Sequence, residues 1–264
     1  GNAARRYGGP ARGTRMIHLK AKREIQIMRD AGRIVADVLE TLRRECIAGM
    51  HTRELDRLAE AKTASYGAEA AFKGYRGFPR SLCTSVNHEV VHGIPGDVRL
   101  EEGDIVGMDF GILFRGYFAD AAITVPIGRI SEETRKLLRV TEECLHLGIE
   151  QMVAGNHLSD LSRAIQTHAE SNRFSLVKEF GGHGIGKQLH EDPMVLNYVI
   201  NGRGIRLREG LVLAVEPMVN MGTDRVRVLS DGWTVVTEDG KPSAHFEHTI
   251  AVTADGPEIL TKLD

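Results

Sequence analysis

Fourteen residues, Phe180–Pro193, hold the densest set of reactive groups in the chain and read FGGHGIGKQLHEDP. Two imidazoles, His183 and His190, suit metal ligation or acid–base work. Four glycines let a ligand or another backbone come close. The same letters match the first seven positions of a phosphate-binding loop, Gly181-x-x-x-x-Gly186-Lys187. Gln188 then stands where that motif needs Ser or Thr, and Pro193 arrives too soon for the long helix the motif must open. The phosphate reading is therefore set aside.

Carboxylates form the second set. Asp109 lies in the apolar run Ile105–Ile112 and Asp120 in Tyr117–Val125, with Phe114-Arg115-Gly116 as the turn between them. A hairpin folded about Phe114–Arg115 places the two acids directly opposite each other. Like charges so placed are destabilising, and a buried, unpaired carboxylate costs several kcal/mol or shifts its pKa. Sharing a proton or sharing a cation relieves the conflict. Glu216, just before Pro217, and Glu247 offer a second pair. Four converging acids point to divalent cations. Oxygen ligands alone suit Mg²⁺ or Ca²⁺. An imidazole, with His183 the candidate, moves the choice toward Mn²⁺, Fe²⁺, Co²⁺ or Zn²⁺. The set suits two ions roughly 3.5–4 Å apart, as in two-metal hydrolases.

These residues need elements to hold them. From Lys22 to Cys46, Ile25, Met28, Val35, Val38, Leu39 and Leu42 recur at three and four, predicting an amphipathic helix. Thr52 reads as the N-cap of a second helix, and Ser131-Glu132-Glu133 opens a third. Ala48–Arg57 lines up with Ala154–Arg163 at a constant offset of 106. Glu102–Asp109 likewise resembles Glu209–Glu216, and Asp120-x-x-Ile123-x-Val125 matches Glu247-x-x-Ile250-x-Val252. Three echoes in one order imply a duplication with pseudo-two-fold symmetry, each half two helices followed by strands. The expected class is α+β, a mainly antiparallel sheet with helices on one face. Residues 22–264 are expected to form one domain, with halves at about 22–128 and 129–260.

A net charge of −2 gives no reason to expect nucleic acid as a partner. No apolar run is long enough to span a bilayer, and no signal-peptide pattern is visible. Cys46, Cys83 and Cys144 are widely spaced, as reduced thiols in a cytoplasmic protein would be. Residues 1–21 read as a flexible basic tail suited to a weak contact with a polyanion, such as a transient ribosome contact. Arg5 stands where a myristoylation pattern wants Ser or Thr.

Ser85-Val86-Asn87, His92-Gly93-Ile94-Pro95, Gly182–Gly186, Glu216-Pro217-Met218 and Phe246-Glu247-His248-Thr249, in this order, closely resemble the motifs of type I methionine aminopeptidases. The resemblance runs from about Lys22 to Leu263. It implies the pita-bread fold shared with prolidase and aminopeptidase P, and removal of the initiator methionine from nascent chains with a small second residue preferred. It implies two divalent ions (Co²⁺, Mn²⁺, Fe²⁺ or Zn²⁺) held by Asp109, Asp120, His183, Glu216 and Glu247, Asp120 and Glu247 bridging. A metal-bound hydroxide would be the nucleophile and Glu216 the proton shuttle. His92 would meet the scissile amide and His190 the carbonyl oxygen. Tyr75, Phe78, Cys83, His92, Leu189 and Trp233 would form the methionine slot, with His190 beside it. A monomer is expected.

Leu189, Phe78 and His245 depart from the usual pattern, where aromatic, tyrosine and glutamine residues are common, and bear on the shape of the slot. Two rivals remain: an Xaa-Pro peptidase, whose relatives carry a further N-terminal domain, and a non-catalytic pita-bread binding protein. All five expected ligands are present, which weighs against the second. The lack of a long insertion between Glu216 and Glu247 disfavours the type II branch. The absence of an N-terminal Cys/His zinc module favours a bacterial or organellar origin.

Overall fold

The computed structural model describes residues 17–263. Arg5, Arg6, Arg12 and Arg15 of the basic tail lie outside them. Helix α1, Lys22–Glu45, buries all six of its predicted apolar positions. Helix α2 spans Thr52–Ser65. Its N-cap is His51 rather than Thr52: the His51 amide donates to Glu54 Oε2 at 2.7 Å. The Thr52 hydroxyl instead accepts from the Gly96 amide at 2.9 Å. That long-range bond takes the side chain away from the helix end.

Strands β1, Cys83–Val86, β2, Ile105–Phe114, and β3, Tyr117–Pro126, form the first sheet with Glu69–Ala70, β2 at its centre. Helices α3, Glu132–Glu150, and α4, Leu158–Ser171, begin the second half. The Ser131 hydroxyl caps α3 as expected, accepting from the Thr134 amide at 3.1 Å. There follow β4, Gly182–Gly184, β5, Glu191–Val195, β6, Val212–Val215, β7, Met218–Asn220, β8, Ser243–His245, β9, His248–Thr253, and β10, Gly256–Ile259. A five-stranded sheet has the order β10-β9-β6-β4-β5. Every strand pair among the described residues is antiparallel. The α+β expectation holds.

The β2–β3 hairpin turns one residue later than expected. Phe114 pairs with Tyr117, leaving Arg115 and Gly116 as the turn, with φ of 49° and 81°. Two consecutive positive φ values are what a type I′ turn requires, and its twist suits a hairpin. Asp109 therefore faces Ala122 and Asp120 faces Gly111, so the acids are diagonal neighbours on one side of the sheet. Gly111 matters here. A Cβ on it would stand 3.2 Å from Asp120 Oδ1 and 2.9 Å from the Phe72 ring.

One apolar core packs α1 and α2 on β2 and β3, and another packs α3 and α4 on β6 and β9. Truncating a fully buried leucine such as Leu42 or Leu137 to alanine costs about 2–5 kcal/mol at sites of this kind. Between the halves, Ala122 and Glu247 exchange backbone hydrogen bonds of 3.2 and 2.9 Å. Asp120 bonds to Thr249 Oγ1 through its amide, at 3.0 Å, and its carbonyl, at 2.8 Å.

Lys20 departs from the tail expectation. Its side chain is buried against Glu191 at 2.6 Å, and its amide donates to the Gly210 carbonyl. No described helix is long and apolar enough to cross a membrane.

Candidate metal centre

Five side chains from five strands or their ends meet at the join of the halves. Asp109 and Asp120 come from β2 and β3, Glu216 follows β6, Glu247 precedes β9, and His183 lies in β4. Val215 pairs with His248; one further step of that register sets Glu216 against Glu247. The Nε2 of His183 lies 3.6 Å from Glu216 Oε1 and 3.9 Å from Asp120 Oδ2. Its Nδ1 is 2.9 Å from the Gly184 carbonyl oxygen. A carbonyl only accepts, so Nδ1 carries the proton and Nε2 turns a lone pair toward the acids.

Burial drives the electrostatics. It holds Asp109, Glu216 and Glu247 well above the usual carboxylate range, and the neighbouring acids push the same way. Asp120 rises to about 7, chiefly through burial, although a hydrogen bond with Asp109 and the Ala121 amide oppose the shift. Burial lowers His183 to about 4. Asp109 Oδ1, Asp120 Oδ1 and Glu247 Oε1 are buried with no hydrogen-bond partner. Each such atom costs about 1–3 kcal/mol. A divalent cation answers both problems, since it neutralises the acids and uses their free oxygens. The oxygens and nitrogen of Asp120, His183 and Glu247 all lie within 4.8 Å of one another, as do those of Glu216, His245 and Glu247. The donor set fits such ions.

The same cavity, about 330 Å³, has a largely apolar wall. The twelve residues that the family resemblance assigns to the site all line it: the five donors, then Tyr75, Phe78, Cys83, His92, Leu189, His190 and Trp233. Phe78 meets Trp233 edge-on at 5.1 Å, and His92 stands edge-on to Phe180 at 5.7 Å. Asp231 braces the Trp233 loop, accepting from the Trp233 amide at 2.8 Å and the Thr234 amide at 2.9 Å. Cys83 pairs with Asp109 across β1 and β2. Burial, then the charge of Asp109, raises its thiol pKa well above the usual range, so it serves as wall and not as nucleophile.

His190 stacks on Tyr75 at 5.3 Å, with its Nδ1 2.9 Å from the Tyr75 hydroxyl. Desolvation by the walls first, then His183, Arg76 and His92, keep it neutral. His92 is neutral too, lowered to about 4 by burial. Its φ is 61°, in the left-handed region that few non-glycine residues adopt. A neighbouring cavity of about 940 Å³ shares Tyr75, Arg76, His190 and Met194 with the first and runs past Lys20, Lys187 and Glu191.

Sequence reasoning placed His245 among the residues shaping the slot. It lies instead beneath the acids, 3% exposed, its Nε2 3.9 Å from both Glu216 Oε2 and Glu247 Oε2. The available signal was its position two residues before Glu247 in an extended run. Phe72, Val91, Phe180, Met194 and Met218 also line the cavity and carry no motif of their own.

Residues 26–254 match metallopeptidase family M24. A methionine aminopeptidase of Clostridium perfringens is 52% identical over 246 residues, 93% of this chain and 99% of that protein. The crystal structure of a methionine aminopeptidase from Thermotoga maritima superposes with a TM-score of 0.92 at 43% identity, covering 94% of this chain and 100% of that one. A prolidase from Pyrococcus furiosus gives a TM-score of 0.75 at 24% identity over 93% of this chain and 66% of its own, a likeness of fold alone.

Proposed function

The chain belongs to metallopeptidase family M24, and on that premise we propose that it is a metal-dependent aminopeptidase removing the N-terminal methionine of polypeptides. The observation that carries this reading is one cavity joining four buried or half-buried acids and an imidazole to an apolar slot of a methionine side chain's character. An Xaa-Pro peptidase reading is not favoured, because the aminopeptidase relatives are far more similar and match along their whole length.

Asp109, Asp120, His183, Glu216 and Glu247 would hold two divalent ions. When bound, the ions polarise the scissile carbonyl and lower the pKa of a water. Glu216 would accept a proton from the attacking water and hand it to the leaving amine. His190 Nδ1 lies 2.9 Å from the Tyr75 hydroxyl; we assign the hydroxyl as the donor, which puts the ring proton on Nε2 for donation to the carbonyl oxygen as it gains charge. His92 holds the leaving amide. The edge-on pair of Phe78 and Trp233, with Tyr75, Cys83 and Leu189, takes the unbranched thioether and excludes water. The wider cavity receives the rest of the polypeptide, small second residues first.

Residues 22–264 act as one catalytic domain of two halves. The enzyme works as a cytoplasmic monomer on nascent chains, and the basic tail supplies a transient ribosome contact. The test is release of methionine from Met-Ala-Ser, against cleavage of Ala-Pro peptides, by metal-stripped protein with Mn²⁺, Co²⁺, Fe²⁺ or Zn²⁺ restored. Methionine release is expected with at least one ion. Failure with every ion overturns the reading.

A further inference from the structure

Glu216 lies between two imidazoles. Its Oε1 faces His183 Nε2 at 3.6 Å and its Oε2 faces His245 Nε2 at 3.9 Å. The two rings play different parts. His183 Nδ1–H donates to the Gly184 carbonyl oxygen, which leaves Nε2 with a lone pair. His245 Nε2 is buried without a hydrogen-bond partner, and a carboxylate oxygen of Glu216 and one of Glu247 each lie 3.9 Å from it, with the His92 imidazole also in its surroundings. Ionised carboxylates only accept, so a bond from Nε2 to either must be a donation. Glu247 Oε2 is equally near at 3.9 Å. Glu216 Oε1 is the oxygen turned toward His183 Nε2, which leaves Oε2 as the oxygen that faces His245.

Resting on the metallopeptidase reading, we propose that His245 is a positioning residue whose Nε2–H donates to Glu216 Oε2 and fixes that carboxylate for the ions. The ring is on a rigid support. Its amide donates to Thr124 Oγ1 at 3.0 Å, and its carbonyl accepts from the same hydroxyl at 2.7 Å. Its strand, β8, is paired with β7, with His245 against Met218. The separation of 3.9 Å in the ion-free site is about 1 Å beyond hydrogen-bond reach, and the proposal requires this one gap to close when the ions are bound.

Cobalt(II) binding to metal-stripped wild type, His245→Gln and His245→Leu tests this, by calorimetry and by the visible absorption of the bound ion. His245→Leu lowers affinity by roughly 10–100-fold, as loss of a hydrogen-bond partner behind a metal ligand does. His245→Gln keeps an N–H donor and stays close to wild type. The absorption bands stay unchanged in all three, because no nitrogen ligand is lost. Wild-type affinity in His245→Leu, or His245→Gln as weak as His245→Leu, overturns the proposal. A band shift in His245→Leu also overturns it, by making His245 a direct ligand. Should the leucine variant not fold, His245→Met, flexible and without a donor, takes its place with the same expectations. Wild type that takes up no cobalt at all refutes the metallopeptidase reading instead.

Discussion

The two halves repeat one frame to the level of single hydrogen bonds. In the first, the Gly49 amide donates to the Leu100 carbonyl and the Leu100 amide to that of Met50, at 2.7 and 2.8 Å. In the second, Gly155 and Leu207, then Leu207 and Asn156, repeat these bonds at 2.9 and 2.7 Å. His51 bridges to Arg99 as His157 bridges to Arg206. At the centre the halves part. Strand β1 pairs Ser85 with Gly107, two residues before Asp109, and β4 pairs His183 with Ala214, two residues before Glu216. A serine in one half thus holds the sheet position of the imidazole in the other. The repeated frame delivers the acids, and a single side chain makes the two ion positions unequal.

Making the second half resemble the first is the harshest test of that comparison. His183→Ser is expected to lower the bound ion from two equivalents to one, by metal analysis, and to cut methionine release at least about a hundredfold. Two ions retained at wild-type affinity would break it. His190 lies outside the repeat, and His190→Ala should keep both ions while turnover falls by roughly two orders of magnitude, as for loss of an oxyanion donor. Loss of metal in that variant would mean His190 is a ligand.

The pH dependence of ion uptake sharpens the contrast further. Asp120, with a pKa of about 7 before the ions arrive, carries a proton that a cation must displace below that pH. His183, at about 4, carries none in that range. Affinity should therefore fall roughly tenfold per pH unit below about 7 through Asp120 alone, more steeply as the other raised acids join, with proton release measurable by calorimetry in different buffers. An affinity flat from pH 7 to 5 would contradict this. The smallest effect concerns the frame. The Glu54 carboxylate accepts from the His51 amide at 2.7 Å and that of Asp160 from the His157 amide at 2.8 Å. Glu54→Ala and Asp160→Ala should each lower the thermal midpoint slightly, and by matching amounts.

Much of this was legible because it is periodic or repeated. The apolar spacing of Ile25–Leu42 gives α1, and the offset of 106 gives the paired frame before any contact is known. The four acids stand out because charge in a buried strand demands a partner. What escaped depends on local geometry. The hairpin register slipped by one because Phe-Arg-Gly admits two turns, and only the positive φ of Arg115 selects the later one. The α2 cap moved because the Thr52 hydroxyl bonds to Gly96, 44 residues away. His245 was misplaced for a different reason. A histidine before a Phe-Glu-His run reads as slot or support equally well, and only the fold at Thr124 turns it beneath the acids.

The ladder between Ala122 and Glu247 has a consequence for how the site comes to exist. Because the contact is made by backbone amides and carbonyls, Glu247 is brought beside Asp120 by main-chain hydrogen bonds that do not depend on its own side chain. The electrostatic work of crowding four acids is thus done once, as the chain folds. An arriving cation meets a preorganised cage and spends little of its binding energy on assembling one. Amide exchange at Ala122 and Glu247 should consequently be slow in the metal-free protein as well as the loaded one.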